Sequence, residues 1–128
     1  AALRAGALQD FVYDWEALPL FATQHRLPAA LQARQRAVRL AHDPQALAWA
    51  FEVAGLACMP DLRPALAAAR QPICFLTGEL DPRFGALAAS QVRPPWITHR
   101  PIPGAGHNLL LEAPGAVAAA LAGWMAGT

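Results

Sequence analysis

The sequence predicts an α/β protein that forms only the end of a larger parallel-sheet domain. In the first sixty residues or so, apolar side chains recur at helical spacing. The remainder alternates two strand-length apolar runs with two helical stretches, and a strand, a crossover helix and a second strand give a parallel pair. A sheet of two parallel strands has two unpaired edges and is not stable by itself. The chain is therefore expected to be incomplete on its own.

The N-terminal part is predicted to be helical. The first helix has an apolar face that stops before Pro19 and consists of Leu8, Phe11, Val12, Trp15 and Leu18. A second helix is expected over residues 28–41. Asp43 is a typical N-cap and Pro44 a typical first helical residue, so a third helix begins there. Its apolar stripe is Leu47, Phe51, Ala54 and Cys58. A short helical turn over 61–69 follows.

The C-terminal part is predicted to be β-α-β-α. The first strand is the apolar run 73–77, which ends at Gly78, and the second spans 96–102. A short helix over 83–90 connects them. The final helix begins at Pro114, because proline is favoured at the first helical position. Residues 1–69 and 70–128 are thus expected to form two differently built parts.

Composition and charge exclude several classes of protein. The chain has 128 residues, of which 55% are hydrophobic and 15% charged, so intrinsic disorder is excluded. The net charge is +1 and the ten arginines form no basic stripe, so no nucleic-acid partner is expected. The N-terminus is not that of a signal peptide, and no apolar stretch is long enough for a membrane span. Cys58 and Cys74 form no C-x-x-C pair, which favours a reducing, cytoplasmic setting.

Two polar residues follow the two predicted strands. Asp81 comes just after the first strand and His107 just after the second, each beyond a glycine turn. Ligand crevices of open α/β sheets lie at this carboxyl edge, and strands about 4.8 Å apart bring the two side chains within reach. An aspartate that holds one ring nitrogen of a histidine is the orienting half of a nucleophile-base-acid triad. Each residue taken alone is also compatible with an ordinary turn residue.

These motifs resemble the C-terminal third of α/β-hydrolases. The resemblance rests on three segments: residues 75–81 (FLTGELD), 104–107 (GAGH) and 112–114 (EAP). In that fold the acid follows the strand before last, the histidine follows the last strand, and the chain order is nucleophile, acid, histidine. The resemblance implies that Asp81 orients His107 and that His107 is the general base. It also implies that 1–69 is a helical cap and 70–128 the end of the hydrolase core.

The helical part resembles one branch of that superfamily more closely. Residues 12–21 (VYDWEALPLF) look like the W-Y-x-Q-P-L-F stretch in the cap of the menaquinone-pathway synthases that make 2-succinyl-6-hydroxy-2,4-cyclohexadiene-1-carboxylate. The resemblance implies a reaction that expels pyruvate instead of hydrolysing an ester. It implies that Arg39 binds a substrate carboxylate and that Trp15 faces the pocket, although Arg39 also fits a solvated helix position and Trp15 a core position. Glu16, Leu18 and Leu110 depart from the family pattern, where tyrosine, glutamine and often a second histidine stand.

The nucleophile of such a triad is not found in the chain. The only serine, Ser90, lies in a short predicted helix and not in a G-x-S-x-G elbow. The nucleophile and the oxyanion donors are therefore expected in an N-terminal part of the fold outside this chain. No metal or organic cofactor is expected, since the histidines lack ligand spacing and no phosphate-binding glycine loop is present. An esterase with the same triad and a non-catalytic helical module remain as alternatives.

Overall fold

A computed structural model describes residues 8–127 of the chain. These residues form two compact units. Unit 1 comprises 8–19 and 27–62 and is helical, whereas unit 2 comprises 20–26 and 63–127 and contains the sheet. The predicted division into 1–69 and 70–128 concerns the cap and core of a complete fold and stays a prediction.

Unit 1 is built from helices α1 (Leu8–Glu16), α2 (Ala29–Leu40) and α3 (Pro44–Ala54), followed by a 3-10 turn at Leu56–Cys58. Leu8 and Val12 are buried, and the half-buried side chains of Phe11, Leu47 and Ala48 pack against them. This core confirms the apolar face predicted for the first helix, except at its end. Leu18 is 42% exposed because α1 ends two residues earlier.

The stripe predicted on the third helix is only partly buried. The Phe51 ring lies 6.0 Å from the Phe11 ring and 6.1 Å from the Trp15 ring, yet Phe51 remains 44% exposed. The helix ends at Ala54, so Cys58 lies beyond it and is exposed. The prediction that all four residues share one buried helical face was therefore wrong, because the helix is one turn too short to carry the last of them.

The start of α3 is the N-cap expected from the sequence. Oδ1 of Asp43 accepts a hydrogen bond of 2.7 Å from the backbone N–H of Ala46, and Pro44 occupies the first helical position. Replacing Asp43 with alanine leaves that N–H without its partner. We expect the free energy of unfolding to fall by about 1 kcal/mol. Urea denaturation would measure this, and an unchanged midpoint would contradict the assigned cap.

Unit 2 contains a parallel pair of strands, β1 (Ile73–Gly78) and β2 (Ile97–Ile102), in the register Ile73 to Ile97 through Gly78 to Ile102. Helix α5 (Pro82–Ala89) connects them as predicted. The other elements are α4 (Arg63–Ala68), α6 (Leu109–Glu112) and α7 (Pro114–Met125), with residues 20–26 from a 3-10 segment at Pro19–Arg26. The 3-10 segment and the four-residue helix α6 were not predicted: the first does not follow the 3.6-residue period of an α-helix, and the second is about one turn long.

The core of unit 2 lies on the side of the sheet covered by α7. Ile102, Ala105 and Val117 are buried there, and Leu76, Leu109, Ala113 and Ala120 pack against them. Many large apolar side chains nevertheless stay exposed, among them Trp49, Val53, Leu56, Met59, Leu62, Leu87 and Leu110. The described residues thus leave much apolar surface uncovered, as expected for one part of a larger fold. Within residues 8–127, no helix is both long and apolar enough to cross a membrane.

Candidate active site

The carboxyl ends of the two strands are joined by backbone hydrogen bonds that continue past the sheet. The N–H of Glu79 donates to the carbonyl of Ile102 at 3.0 Å, and the N–H of Leu80 donates to that of Ala105 at 2.9 Å. The loop after β1 therefore runs beside the loop after β2. This places the residues that follow, Asp81 and His107, next to each other.

Asp81 and His107 form a close side-chain pair. Nδ1 of His107 lies 2.7 Å from Oδ2 of Asp81. Because a carboxylate only accepts, Nδ1 carries the hydrogen, and Nε2 of the neutral ring keeps its lone pair for accepting a proton. The Asp81 side chain is 4% exposed and that of His107 is 30% exposed. A buried carboxylate thus contacts one nitrogen of a ring that remains open to solvent on one side.

The second oxygen of Asp81 has a structural partner. Oδ1 accepts a hydrogen bond of 3.1 Å from the backbone N–H of Phe84, so Asp81 is the N-cap of α5, with Pro82 at the first helical position. This contact fixes the carboxylate relative to the helix. The turn role considered for Asp81 and its pairing with a histidine are therefore both present.

Two aromatic rings surround the imidazole. The centroid of Phe84 lies 4.7 Å from that of His107, and Phe21 lies 5.8 Å away in an edge-to-face arrangement. An open pocket of about 390 Å³ adjoins the ring and is lined by Phe21, His107, Asn108, Leu109 and Leu110. The histidine therefore faces a mainly apolar space that a small molecule can enter.

Glycine is required at the end of β1. A side chain at Gly78 would overlap the backbone carbonyl oxygens of Gly106 and Ala105. The close approach of the two loops therefore depends on the missing Cβ. On the other loop, Gly104 has a φ of 68°, a left-handed conformation in which glycine carries no penalty. The predicted glycine turns are thus real, and each has a distinct cause.

Unit 1 holds the two residues predicted to bind substrate. Trp15 is half-buried and stacks on Phe11, with ring centroids 5.8 Å apart. Nη1 of Arg39 donates to Oε1 of Glu16 at 2.9 Å, and Nη1 of Arg36 lies 3.7 Å from the other oxygen of Glu16. Trp15 therefore occupies the packing position considered for it, and Arg39 forms an ion pair with Glu16. Glu16, which departs from the family pattern, is therefore balanced by two arginines.

Sequence reasoning missed several residues around the histidine. Phe21 belongs to the 3-10 segment and is far from His107 in the chain. Nothing in the local sequence indicates that the two rings are in contact. Phe84 is the third residue after the N-cap Asp81, so the predicted start of this helix could have indicated that Phe84 lies near the site. Among residues 8–127, no cluster of three or more histidine, cysteine, aspartate or glutamate side chains could hold a metal ion.

The fold and the comparisons define the class: the chain has the fold of the C-terminal part of an α/β-hydrolase. The solved structure of MenH from S. aureus matches it with a TM-score of 0.92 and 31% identity, over 98% of this chain and 48% of that chain. No protein-family model matches the sequence.

Curated relatives narrow the resemblance to one kind of enzyme. The 2-succinyl-6-hydroxy-2,4-cyclohexadiene-1-carboxylate synthase of Citrobacter koseri is 37% identical over 122 residues, which cover 95% of this chain and 46% of the relative. The synthase of the same name from Enterobacter sp. is 37% identical over 123 residues, 93% of this chain and 43% of the relative. The predicted resemblance to the menaquinone-pathway synthases is confirmed. The chain spans a little less than half the length of these relatives.

Proposed function

We propose that this chain supplies the acid and the base of a Ser-His-Asp triad in an α/β-hydrolase-fold enzyme similar to the menaquinone-pathway synthases, which eliminates pyruvate from its substrate. The observation that carries the proposal is the 2.7 Å contact between Nδ1 of His107 and Oδ2 of Asp81 at the carboxyl ends of adjacent parallel strands. That edge of an open α/β sheet is where ligands bind.

The proposed chemistry requires a base that gains a proton and is stabilised when charged. Nε2 of His107 accepts the proton, either from a serine hydroxyl or through it from the substrate carbon. The carboxylate of Asp81 stabilises the imidazolium that forms and holds the ring in the tautomer with a free Nε2. The electrons of the broken C–H bond form a new double bond while the substrate's bond to the pyruvate group breaks. The pyruvate enolate leaves with the electrons of that bond, and the His107 imidazolium returns its proton, directly or through the serine, to complete pyruvate and restore the base. Phe84 and Phe21 cover part of the ring with apolar surface, while its remaining side stays open to the pocket.

The nucleophile is proposed to come from an N-terminal part of the fold outside these 128 residues. Ser90, the only serine, is engaged at the end of α5, where its Oγ donates to the carbonyl of Leu87 at 2.7 Å. The relatives are about twice as long as this chain, which supports a complementary part that provides further strands. We call this chain together with that part the complete enzyme.

The substrate is proposed to be a small polycarboxylate. Arg39 is the candidate carboxylate ligand, since a guanidinium binds a carboxylate through two parallel hydrogen bonds. Trp15 is the candidate wall of the same pocket. Both roles rest on the resemblance of residues 12–21 and 39 to the synthase pattern, and Glu16 modifies them by pairing with Arg39.

The decisive experiment compares two reactions of the complete enzyme. Pyruvate release from the synthase substrate would be followed with a coupled lactate dehydrogenase assay, and p-nitrophenyl ester hydrolysis by absorbance. The proposal expects pyruvate release that His107→Gln abolishes. Rapid ester turnover without pyruvate would favour the esterase alternative, for which the apolar lining of Phe21, Leu109 and Leu110 is the supporting feature. If neither reaction occurs, the proposed pyruvate elimination is wrong, and the non-catalytic alternative gains support over both reactions.

Glu16 is expected to weaken substrate binding by competing for Arg39. Replacing Glu16 with glutamine removes the negative charge while preserving the shape of the side chain. We expect KM for the polycarboxylate substrate to fall about two- to fivefold with kcat unchanged, because partly exposed ion pairs contribute roughly 0.2–1 kcal/mol. Steady-state kinetics at low ionic strength would measure this.

The matched control for Glu16 is Asp14→Asn, which removes an exposed carboxylate from the same helix. Its KM should stay at the wild-type value. A KM that rises in Glu16→Gln, or that falls equally in both variants, would show that Arg39 does not bind the substrate.

A further inference from the structure

One carboxylate, that of Glu112, binds the backbone of the His107 loop at the residue before the histidine and at the residue after it. Oε2 of Glu112 accepts a hydrogen bond of 2.7 Å from the backbone N–H of Gly106, and Oε1 accepts one of 3.1 Å from the N–H of Asn108. These two amides belong to the residues immediately before and after His107. Glu112 is half-buried, and neither contact involves the imidazole itself.

Fixing both amides restricts the backbone of the residue between them. The amide of Asn108 lies in the peptide plane that directly follows His107, and the amide of Gly106 lies in the Ala105–Gly106 plane, one residue earlier. Because peptide bonds are planar, only the φ and ψ angles of Gly106 and His107 lie between the two held planes, and they set the direction of the His107 Cα–Cβ bond. Phe84 and Phe21 then restrict the ring, and Asp81 receives its Nδ1–H. The orientation of Nε2 is therefore determined by the backbone clamp and the ring contacts together.

The clamp is closely packed at Gly106. A Cβ at Gly106 would overlap Oγ1 of Thr23 and lie 2.9 Å from Oε2 of Glu112. The glycine thus allows the carboxylate to approach the amide closely. Because charged acceptors form the stronger hydrogen bonds, each of these two bonds holds the backbone more firmly than a neutral pair would.

We propose that Glu112 is a positioning residue for His107: its carboxylate clamps the amides of Gly106 and Asn108 and so aligns the imidazole between Asp81 and the substrate pocket. This inference rests on the proposed function, in which His107 is the base. The competing role is purely local. Asn108 is the N-cap of α6 and accepts from the N–H of Leu111, while Glu112 returns to the N–H of Asn108, a reciprocal arrangement that stabilises a short helix by itself.

Glu112→Gln distinguishes the two roles. Glutamine accepts from one amide only, and its NH₂ group repels the second N–H. The positioning role expects kcat for pyruvate release to fall about 100-fold with KM unchanged, because misplacing a reacting group by about 1 Å has an effect of that size. It also expects the Nδ1–H resonance of His107 in the NMR spectrum to broaden or disappear. Glu112→Asp, which is one methylene shorter, should show the same two changes.

The control is Glu79→Gln, because Glu79 accepts only one hydrogen bond, at 2.8 Å, from the N–H of Gly104, three residues before the histidine. Its kcat should stay within about twofold of the wild type, as for an exposed substitution. If Glu112→Gln and Glu112→Asp lower only the unfolding temperature and leave the His107 resonance and kcat intact, the inference is overturned. A lost resonance in a protein that never releases pyruvate would support the clamp while removing the proposed reaction.

Discussion

Asparagine in place of Asp81 is expected to lower kcat for the proposed pyruvate release of the complete enzyme by about four orders of magnitude without unfolding the protein. The carbonyl oxygen of asparagine still caps α5 through the N–H of Phe84, since asparagine is as good an N-cap as aspartate. Its NH₂ group, however, now faces Nδ1 of His107. That atom must become the acceptor, so the hydrogen moves to Nε2 and the ring can no longer take a proton there.

Steady-state kinetics and thermal unfolding of the Asp81→Asn complete enzyme would separate the two effects. Asp43→Asn is the matched control, because Asp43 and Pro44 begin α3 in the way that Asp81 and Pro82 begin α5, with no histidine at the second oxygen. Asp43→Asn should unfold within about 0.5 kcal/mol of the wild type, as an exposed substitution that keeps its cap. Asp81→Asn should lose more, about 1–3 kcal/mol, because it changes a buried charge-assisted hydrogen bond, but it should still fold cooperatively. If Asp81→Asn were as active as Asp43→Asn, Asp81 would have no role in orienting the base.

Replacing Gly78 with alanine is expected to reduce the free energy of unfolding by about 3 kcal/mol, near the upper end of ordinary overpacking costs. The added methyl group would overlap two carbonyl oxygens of the neighbouring loop, those of Ala105 and Gly106. Backbone atoms cannot rotate away as a side chain can. The loop has to shift as a whole, and it carries His107 with it, so kcat should fall as well.

Gly85→Ala provides the comparison for Gly78→Ala. Gly85 lies inside α5, and a Cβ there would sit 3.8 Å from Oγ1 of Thr77, an ordinary contact. Alanine should therefore stabilise the helix by up to about 1 kcal/mol. Urea denaturation of both variants would measure the difference. A Gly78→Ala protein as stable as Gly85→Ala would mean that the two loops are not packed as closely as described.

The sequence predicted the parts of the fold that follow from local chemistry and periodicity. The Asp43 and Asp81 helix starts, the parallel strands and the crossover helix all depend on residues close together in the chain. The meeting of Asp81 and His107 was also predictable, because parallel strands place their carboxyl ends at one edge. Whether these residues catalyse a reaction stays a prediction, since it depends on a nucleophile that we propose to lie in another part of the fold.

The features that sequence reasoning missed depend on contacts that have no local signal. Phe21 is far from His107 in the chain, and only the folded structure brings the two rings together. Glu112 belongs to the EAP segment that carries the resemblance, but its hydrogen bonds to the amides on both sides of His107 have no signal in the sequence. The stripe from Leu47 to Cys58 was misjudged because alanine-rich segments continue a helical pattern past the true end of the helix. Glu16 stood out in the sequence only as a departure from the family pattern, and its ion pairs with Arg39 and Arg36 are visible only in the structure.

The two carboxylate oxygens of Asp81 have different partners and therefore different roles. Oδ1 caps the first turn of helix α5, and Oδ2 contacts the imidazole of His107. A library of all substitutions at position 81 would therefore retain different residues when it is selected for folded protein and when it is selected for turnover. Selection for folded protein would retain the small polar capping residues aspartate, asparagine, serine and threonine. Selection for turnover would retain aspartate alone, so the difference between the two sets of retained residues would measure how much of this position's identity is due to catalysis.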